Sequence, residues 1–256
     1  MRTPDELRDV FEQYVSELAH APELGRLEEA VRYALESGGK RIRPVLCLAV
    51  AEAAGGSVEA ALPAAASVEL VHTFSLVHDD LPALDDDDVR RGRPSSHVAF
   101  GEAVAILEGD ALLAEAVRLA LTYDDPGPAR ELVEATLGMI GGQYRDVTGD
   151  DEDLAEVDRL KTGRLFSAAV GLGLRTARVP EQAQGPWRGF GEELGLLFQV
   201  VDDILDGDGF SARLGDEGAR EFADAAAERA RARLAEVPAD TSVLEGLVDS
   251  LATRTV

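Results

Sequence analysis

Apolar residues recur three and four positions apart along almost the whole chain, the period of an amphipathic helix. Few stretches alternate strictly between apolar and polar, as a half-buried strand would. The pattern predicts helices near residues 5–20, 25–37, 43–54, 61–80, 98–122, 129–148, 152–175, 181–206, 217–236 and 241–252. Prolines at 22, 44, 63, 82, 94, 126, 128, 180, 186 and 238 fall at plausible helix ends or first turns, where a missing N–H is tolerated. No repeat, low-complexity tract or linker interrupts this rhythm, so a single all-α domain over residues 1–256 is expected.

With 256 residues, 45% of them hydrophobic, the chain can bury a sizeable core. The opening MRTPDELRDVFEQYV is acidic and amphipathic and lacks the apolar centre of a signal peptide. No apolar run is expected to span a membrane. The single cysteine, Cys47 in PVLCLAV, has no partner for a disulfide and reads as a small buried side chain of a cytoplasmic protein. A formal charge of -24 makes nucleic acid and anionic membranes poor partners. An anionic substrate would need clustered basic groups or bound cations. Of the 25 basic residues only Lys40 and Lys161 are lysines, which makes a compact ammonium at those positions conspicuous.

Charge is concentrated in LVHDDLPALDDDDVRRGRPSSH, with aspartates at 79, 80, 85, 86, 87 and 88 and arginines at 90, 91 and 93. Alone, this is equally a solvated acidic loop or a site for a hard cation. A calcium loop counted from Asp85 fails, because Arg90 and Ser96 stand where glycine and glutamate are required. A second cluster tips the balance. In FQVVDDILDGDG, Asp202 and Asp206 share a helix face with Gln199, and like charges at that spacing repel unless a cation is shared. ESGGKRIRPVL resembles a phosphate loop only superficially, since Ala34 and Arg41 stand at its required glycine and Ser/Thr. Even so, Lys40, Arg41 and Arg43 precede a helix start, which suits an anion, or else form an exposed basic turn. His72 lies two helical turns before Asp79, and is either a structural histidine or a ligand. Lys161 and Thr162 are expected mid-helix, and Gln143 and Asp146 lie three apart on another helix.

In this order, GGKRIRP, LVHDDLPALDDDDVRRGRP, GGQYRDV, RLKTGRLF and FQVVDDILD resemble the trans-isoprenyl diphosphate synthases, over about residues 25 to 206. Farnesyl and geranylgeranyl diphosphate synthases belong to that family. The resemblance implies an all-α bundle around a deep central cavity, a homodimer, and condensation of isopentenyl diphosphate with an allylic diphosphate. It implies that Asp79, Asp80, Asp85, Asp202, Asp203 and Asp206 hold three magnesium ions. Arg90, Lys161, Thr162 and Gln199 would serve the allylic diphosphate or its carbocation. Lys40, Arg43, His72 and Arg91 would bind isopentenyl diphosphate, and Gln143 is a further substrate-binding candidate.

The resemblance also assigns chain length to Phe74 and Ser75, five and four residues before Asp79. The bulk of Phe74 and the two-residue extension in DDLPALD favour a farnesyl product over a geranylgeranyl one. One departure stands out. The lysine-containing loop that family members carry after the second aspartate cluster is missing, and no lysine follows Lys161. Arg213 and Arg220 are the candidates to replace it. The departure keeps an inactive regulatory subunit open as an alternative, against which both complete aspartate clusters argue. A terpene cyclase is disfavoured by Asp202, Asp203 and Asp206 together with Lys40, Arg43 and His72.

Overall fold

A computed structural model describes residues 1–149, 159–207 and 209–255. Eleven α-helices make up most of it: α1 (Pro4–Ser16), α2 (Leu27–Leu35), α3 (Ile42–Ala53), α4 (Val58–Asp79), α5 (Ser96–Phe100), α6 (Glu102–Ala120), α7 (Gly127–Thr148), α8 (Arg164–Thr176), α9 (Gly185–Asp206), α10 (Gly209–Ala235) and α11 (Ser242–Ala252). The all-α expectation holds.

The helices start where local chemistry lets them. Thr3 and Glu6 form a reciprocal capping box at α1, with Pro4 in the first turn. Leu7, Phe11 and Val15 then bury one stripe of that helix, and full burial of a side chain such as Phe11 stabilises by roughly 2 kcal/mol. The centre is α3, α4 and α8. Residues 45–51 of α3 are all buried, including Cys47, whose thiol burial pushes further from ionisation. Gly173 lets α8 approach α3, because a Cβ there would collide with the Cys47 carbonyl oxygen.

By length and composition α4 is apolar enough to cross a membrane, contrary to the sequence expectation. Other helices bury 72% of that apolar window, so in this fold α4 is the core helix. Pro63 interrupts its hydrogen-bond ladder. The Tyr123 hydroxyl fills the gap, accepting from Ala64 N (3.1 Å) and donating to Ala60 O (2.8 Å).

Four boundaries differ from the sequence reading. The helix expected over 98–122 is broken at Gly101, whose φ of 89° no helix accommodates. The helix expected over 152–175 begins, in its described part, with a π-helical turn at Arg159–Gly163; residues 152–158 lie outside the described residues. The segment 181–206 opens as a short 3₁₀ turn before α9. Finally, α10 starts at Gly209 rather than near 217, with a break at Gly215.

The arginine-rich segment forms a small hairpin, β1 (Val89–Arg90) paired antiparallel with β2 (Arg93–Pro94). Its two-residue loop, Arg91 (φ 53°) and Gly92 (φ 75°), is left-handed at both positions, the turn that matches strand twist. Arg93 stacks on the Tyr33 ring (4.1 Å to the centroid), and the Tyr33 hydroxyl donates to Pro94 O (2.7 Å). The hairpin is thereby fastened to α2.

Candidate active site

Between α3, α4, α7, α8 and α9 lies a cavity of about 530 Å³. Ten of the residues expected from the sequence line it: Arg43, His72, Phe74, Ser75, Asp79, Gln143, Lys161, Thr162, Gln199 and Asp202. The π-helical turn presents Lys161 and Thr162, and such turns recur at functional sites. Arg90, Arg91 and Asp80 line a smaller adjoining cleft. Lys40 is exposed on the turn before α3, close enough to Asp202 to favour its ionised form.

The cavity is polarised. His72 is held neutral, its pKa well below the ordinary histidine value, by burial and then by Arg43, Arg91, Arg41 and Arg90. Four guanidinium groups therefore act on one imidazole. Arg43 is itself brought down to about 10 by burial, against the opposing influence of Glu69 and Asp202. Its guanidinium lies over Phe166 (4.8 Å) and Phe198 (5.8 Å), and its Nε has no hydrogen-bond partner. Gln143 Oε1 is likewise buried and unpaired. Buried polar atoms without partners are costly, and here both belong to the cavity wall.

At the aspartate end the signs reverse. Burial raises Asp79 to about 6; Lys161 opposes the rise, and Asp85 and Asp80 add to it. Burial also raises Asp202, followed by repulsion from Asp206. The six aspartates divide into two groups. Asp80 is buried and accepts from Arg90 through Nε (2.9 Å) and Nη2, while Arg90 Nη2 also reaches Asp87 (3.0 Å). Asp203 is buried and accepts from Gln199 Nε2 (2.6 Å) and Phe210 N (2.8 Å). Gln199 thus pairs with Asp203 while lining the cavity beside Asp202. Asp79, Asp85, Asp202 and Asp206 have no hydrogen bond or ion pair from their carboxylates among the described residues, and are free to take a cation.

Among the described residues no three acidic, histidine or cysteine side chains close into a metal cage. Magnesium does not need one, since it is commonly held by one or two carboxylates together with substrate phosphates. An oxygen-only donor set, in which burial makes Asp79 and Asp202 reluctant to ionise, fits such an ion.

The departure after the second cluster has a structural counterpart. The N-terminus of α10 seats directly on Asp203 through Phe210 N. Arg213 and Arg220 are exposed on α10, and neither lines the cavity. Lys161 Nζ is paired with Asp146 Oδ2 (2.6 Å). Arg91 donates to Gly38 O and lies against Gly39, where any Cβ would meet its guanidinium at 2.7 Å.

Sequence reasoning missed the apolar wall of Met139, Ile140, Tyr144, Val147, Leu165 and Phe198. It also missed Glu69, a buried acid that accepts from Arg41 (2.8 Å). A glutamate inside the otherwise apolar run AAASVELVH was the available signal.

The fold and cavity define a class: all-α proteins that set a basic cluster and aspartates against an apolar chamber. Residues 25–225 match the polyprenyl synthetase family, and the chain belongs to it. It is 42% identical over 193 residues to a geranylgeranyl diphosphate synthase of Cyanophora paradoxa, covering 70% of this chain and 64% of that one. It is 40% identical over 204 residues to a farnesyl diphosphate synthase of Bacillus subtilis (strain 168), covering 74% and 69%. A chloroplastic heterodimeric geranylgeranyl pyrophosphate synthase large subunit of Arabidopsis thaliana is 43% identical over 216 residues, covering 77% and 58%. The chain thus spans about three fifths of the length of several such relatives. Among solved structures, the apo form of a FPP/GFPP synthase from Zymomonas mobilis superposes with a TM-score of 0.85 at 32% identity, covering 98% of this chain and 100% of that one.

Proposed function

We propose that the chain is a magnesium-dependent prenyltransferase that joins isopentenyl diphosphate to an allylic diphosphate, with farnesyl diphosphate as the product. The observation that carries this reading is the polarised cavity: Arg43 and His72, with Asp79 and Asp202, line the same chamber as an apolar wall, and four guanidiniums hold His72 neutral. Isopentenyl diphosphate seats its phosphates on Lys40, Arg43, His72 and Arg91. The allylic diphosphate lies toward the aspartates, with Lys161, Thr162 and Gln199 around its reacting end.

Cleavage of the allylic C–O bond leaves its electron pair on the diphosphate and a carbocation on the allyl group. Asp79, Asp85, Asp202 and Asp206 would hold magnesium, which would supply charge to neutralise that diphosphate. Asp80 holds Arg90 at the adjoining cleft and Asp203 ties α9 to the start of α10, so both support the site from behind. The isopentenyl double bond then forms the new C–C bond, and the released diphosphate takes the proton lost when a double bond re-forms. Phe198, Leu165 and Met139 keep water from the cation.

Phe74 supports the farnesyl assignment. It lines the cavity five residues before Asp79 and stands edge-on to His78 with ring centroids 4.9 Å apart. The names of relatives divide between farnesyl and geranylgeranyl synthases, so chain length rests on this ring.

A second copy of the chain is the proposed partner. Val133 and Leu137 on α7 are exposed apolar residues outside the cavity, Leu137 at 64%, and continue the stripe whose Ile140, Tyr144 and Val147 line the cavity. A monomer by sedimentation velocity would contradict this.

The activity is tested by incubating the chain with magnesium, isopentenyl diphosphate and dimethylallyl or geranyl diphosphate, then chromatographing the dephosphorylated products. Absence of product from either primer would sink the reading.

A further inference from the structure

The turn that carries Lys40 is held by a residue outside the proposed substrate contacts. Gly38 (φ 79°), Gly39 (φ 129°) and Arg41 (φ 48°) are all left-handed. A side-chain-bearing residue keeps that conformation only when its surroundings over-determine it. For Arg41 they do, and its side chain is only 1% exposed. Nε donates to Glu12 Oε1 on α1 (2.7 Å) and Nη1 to Glu69 Oε1 on α4 (2.8 Å). Nη2 donates to the Leu35 carbonyl at the end of α2. One guanidinium therefore ties three helices to the N-cap of α3.

Two of these ties lead into the cavity. Arg43 lies two residues beyond Arg41, in the first turn of α3. His72 lies three residues beyond Glu69 on α4, one helical turn away on the same face. Glu69 also acts electrostatically on Arg43, so one carboxylate serves both arginines. The Arg41–Glu69 pair thus fixes the offset between the start of α3 and the stretch of α4 from which Arg43 and His72 enter the cavity. Lys40 precedes Arg41 directly, on the same strained turn. A lysine could not replace Arg41, because its point charge lacks the planar fork that reaches three acceptors on separate elements.

We propose that Arg41, held by Glu69, is a positioning residue that sets Lys40, Arg43 and His72 at the spacing an isopentenyl diphosphate headgroup requires. This rests on the prenyltransferase reading and adds to it a residue that touches no substrate. Two consequences follow from the geometry. Loss of the pair disturbs the isopentenyl side, because the turn, Arg43 and His72 all depend on it. The allylic side is affected less, because Lys161 and Thr162 sit on the π-helical turn, where Asp146 holds Lys161.

The test uses Arg41→Lys, the double variant Arg41→Gln with Glu69→Gln, and Glu12→Gln. The double variant removes both charges of the pair together, and Arg43 keeps Asp202 as its opposing charge. Glu12 has a side chain 43% exposed, so its variant keeps the test open if the buried ones do not fold. Separate KM values for each substrate, kcat, melting temperature and calorimetric binding of isopentenyl diphosphate are measured. The first two variants are expected to raise the isopentenyl KM and Kd about tenfold or more, as small misplacements of a binding group do, with the allylic KM within about twofold. Glu12→Gln is expected to shift the isopentenyl values about two- to threefold in the same direction. Unchanged isopentenyl binding in a variant that melts like wild type overturns the proposal, and so does an equal rise in both KM values. Wild-type chain without activity on any primer fails at the earlier step, and overturns the prenyltransferase reading together with this one.

Discussion

Glu108 offers the sharpest test of the packing. It lies on α6, is 0% exposed, accepts from Ser96 Oγ on α5 (2.9 Å) through Oε1, and has no partner at Oε2. Burial pushes its carboxyl from 4.5 up to about 7, with the Ser96 bond opposing. That rise corresponds to roughly 3 kcal/mol between the folded and unfolded states. Below pH 4.5 both states hold the proton and the full stability is present. As pH rises the unfolded chain ionises first, and stability falls until the folded carboxyl has ionised above pH 7. Replacing Glu108 by Gln keeps the shape and the Ser96 contact and removes the titration. Between pH 5.5 and pH 8.5, both clear of the isoelectric point near 4.4, the variant should gain about 2 kcal/mol over wild type. Urea unfolding of the two proteins at each pH measures this directly, with the slope of the transition checked for constancy. A stability difference that is the same at both pH values would refute the reasoning, because it would place the Glu108 carboxyl in water or in an unseen ion pair.

Other substitutions separate substrate chemistry from structure. Phe74→Ala should lengthen the main product by one isoprene unit, read by chromatography, at a stability cost approaching 3 kcal/mol, the low end for a buried ring. Asp202→Asn should lower kcat by a factor on the order of 100 while leaving the melting temperature unchanged or higher, since burial and Asp206 already disfavour its charge. Gly39→Ala should displace the Arg91 guanidinium and raise the isopentenyl KM, with about 1 kcal/mol of destabilisation from the left-handed backbone, measured by steady-state kinetics and thermal melting. Tyr123→Phe should cost about 1 kcal/mol by unbridging the Pro63 break in α4, measured by thermal melting, with catalytic constants unmoved.

Much of this architecture was legible because helix periodicity and sharp chemical punctuation coincide. The run FQVVDDILD ends α9 at Asp206, where Gly207 turns left-handed, and α4 ends with Asp79 after its apolar stretch. Eight of the ten expected residues meet in one cavity because each sits at a fixed phase on an α-helix, while Lys161 and Thr162 come from the π-helical turn. What escaped has physical causes. The hairpin of residues 89–94 has strands of two residues, too short for alternation to register. The break at Gly101 depends on one left-handed glycine inside an otherwise helical pattern. The pairing of Arg90 with Asp80 closes a loop of ten residues, which spacing rules for helices cannot foresee. Glu69 and Glu108 were visible as acids inside apolar helical runs, but only the fold tells a paired buried charge from an unpaired one.

The most direct measurement follows a single isopentenyl unit. Isotopically labelled isopentenyl diphosphate is mixed with geranyl diphosphate and the chain, with magnesium or with a chelator, and the label is traced through the separated prenyl diphosphates. The polarised cavity predicts label in the C15 product with magnesium and none with chelator. Label that remains wholly in the unreacted C5 diphosphate under both conditions would contradict the account.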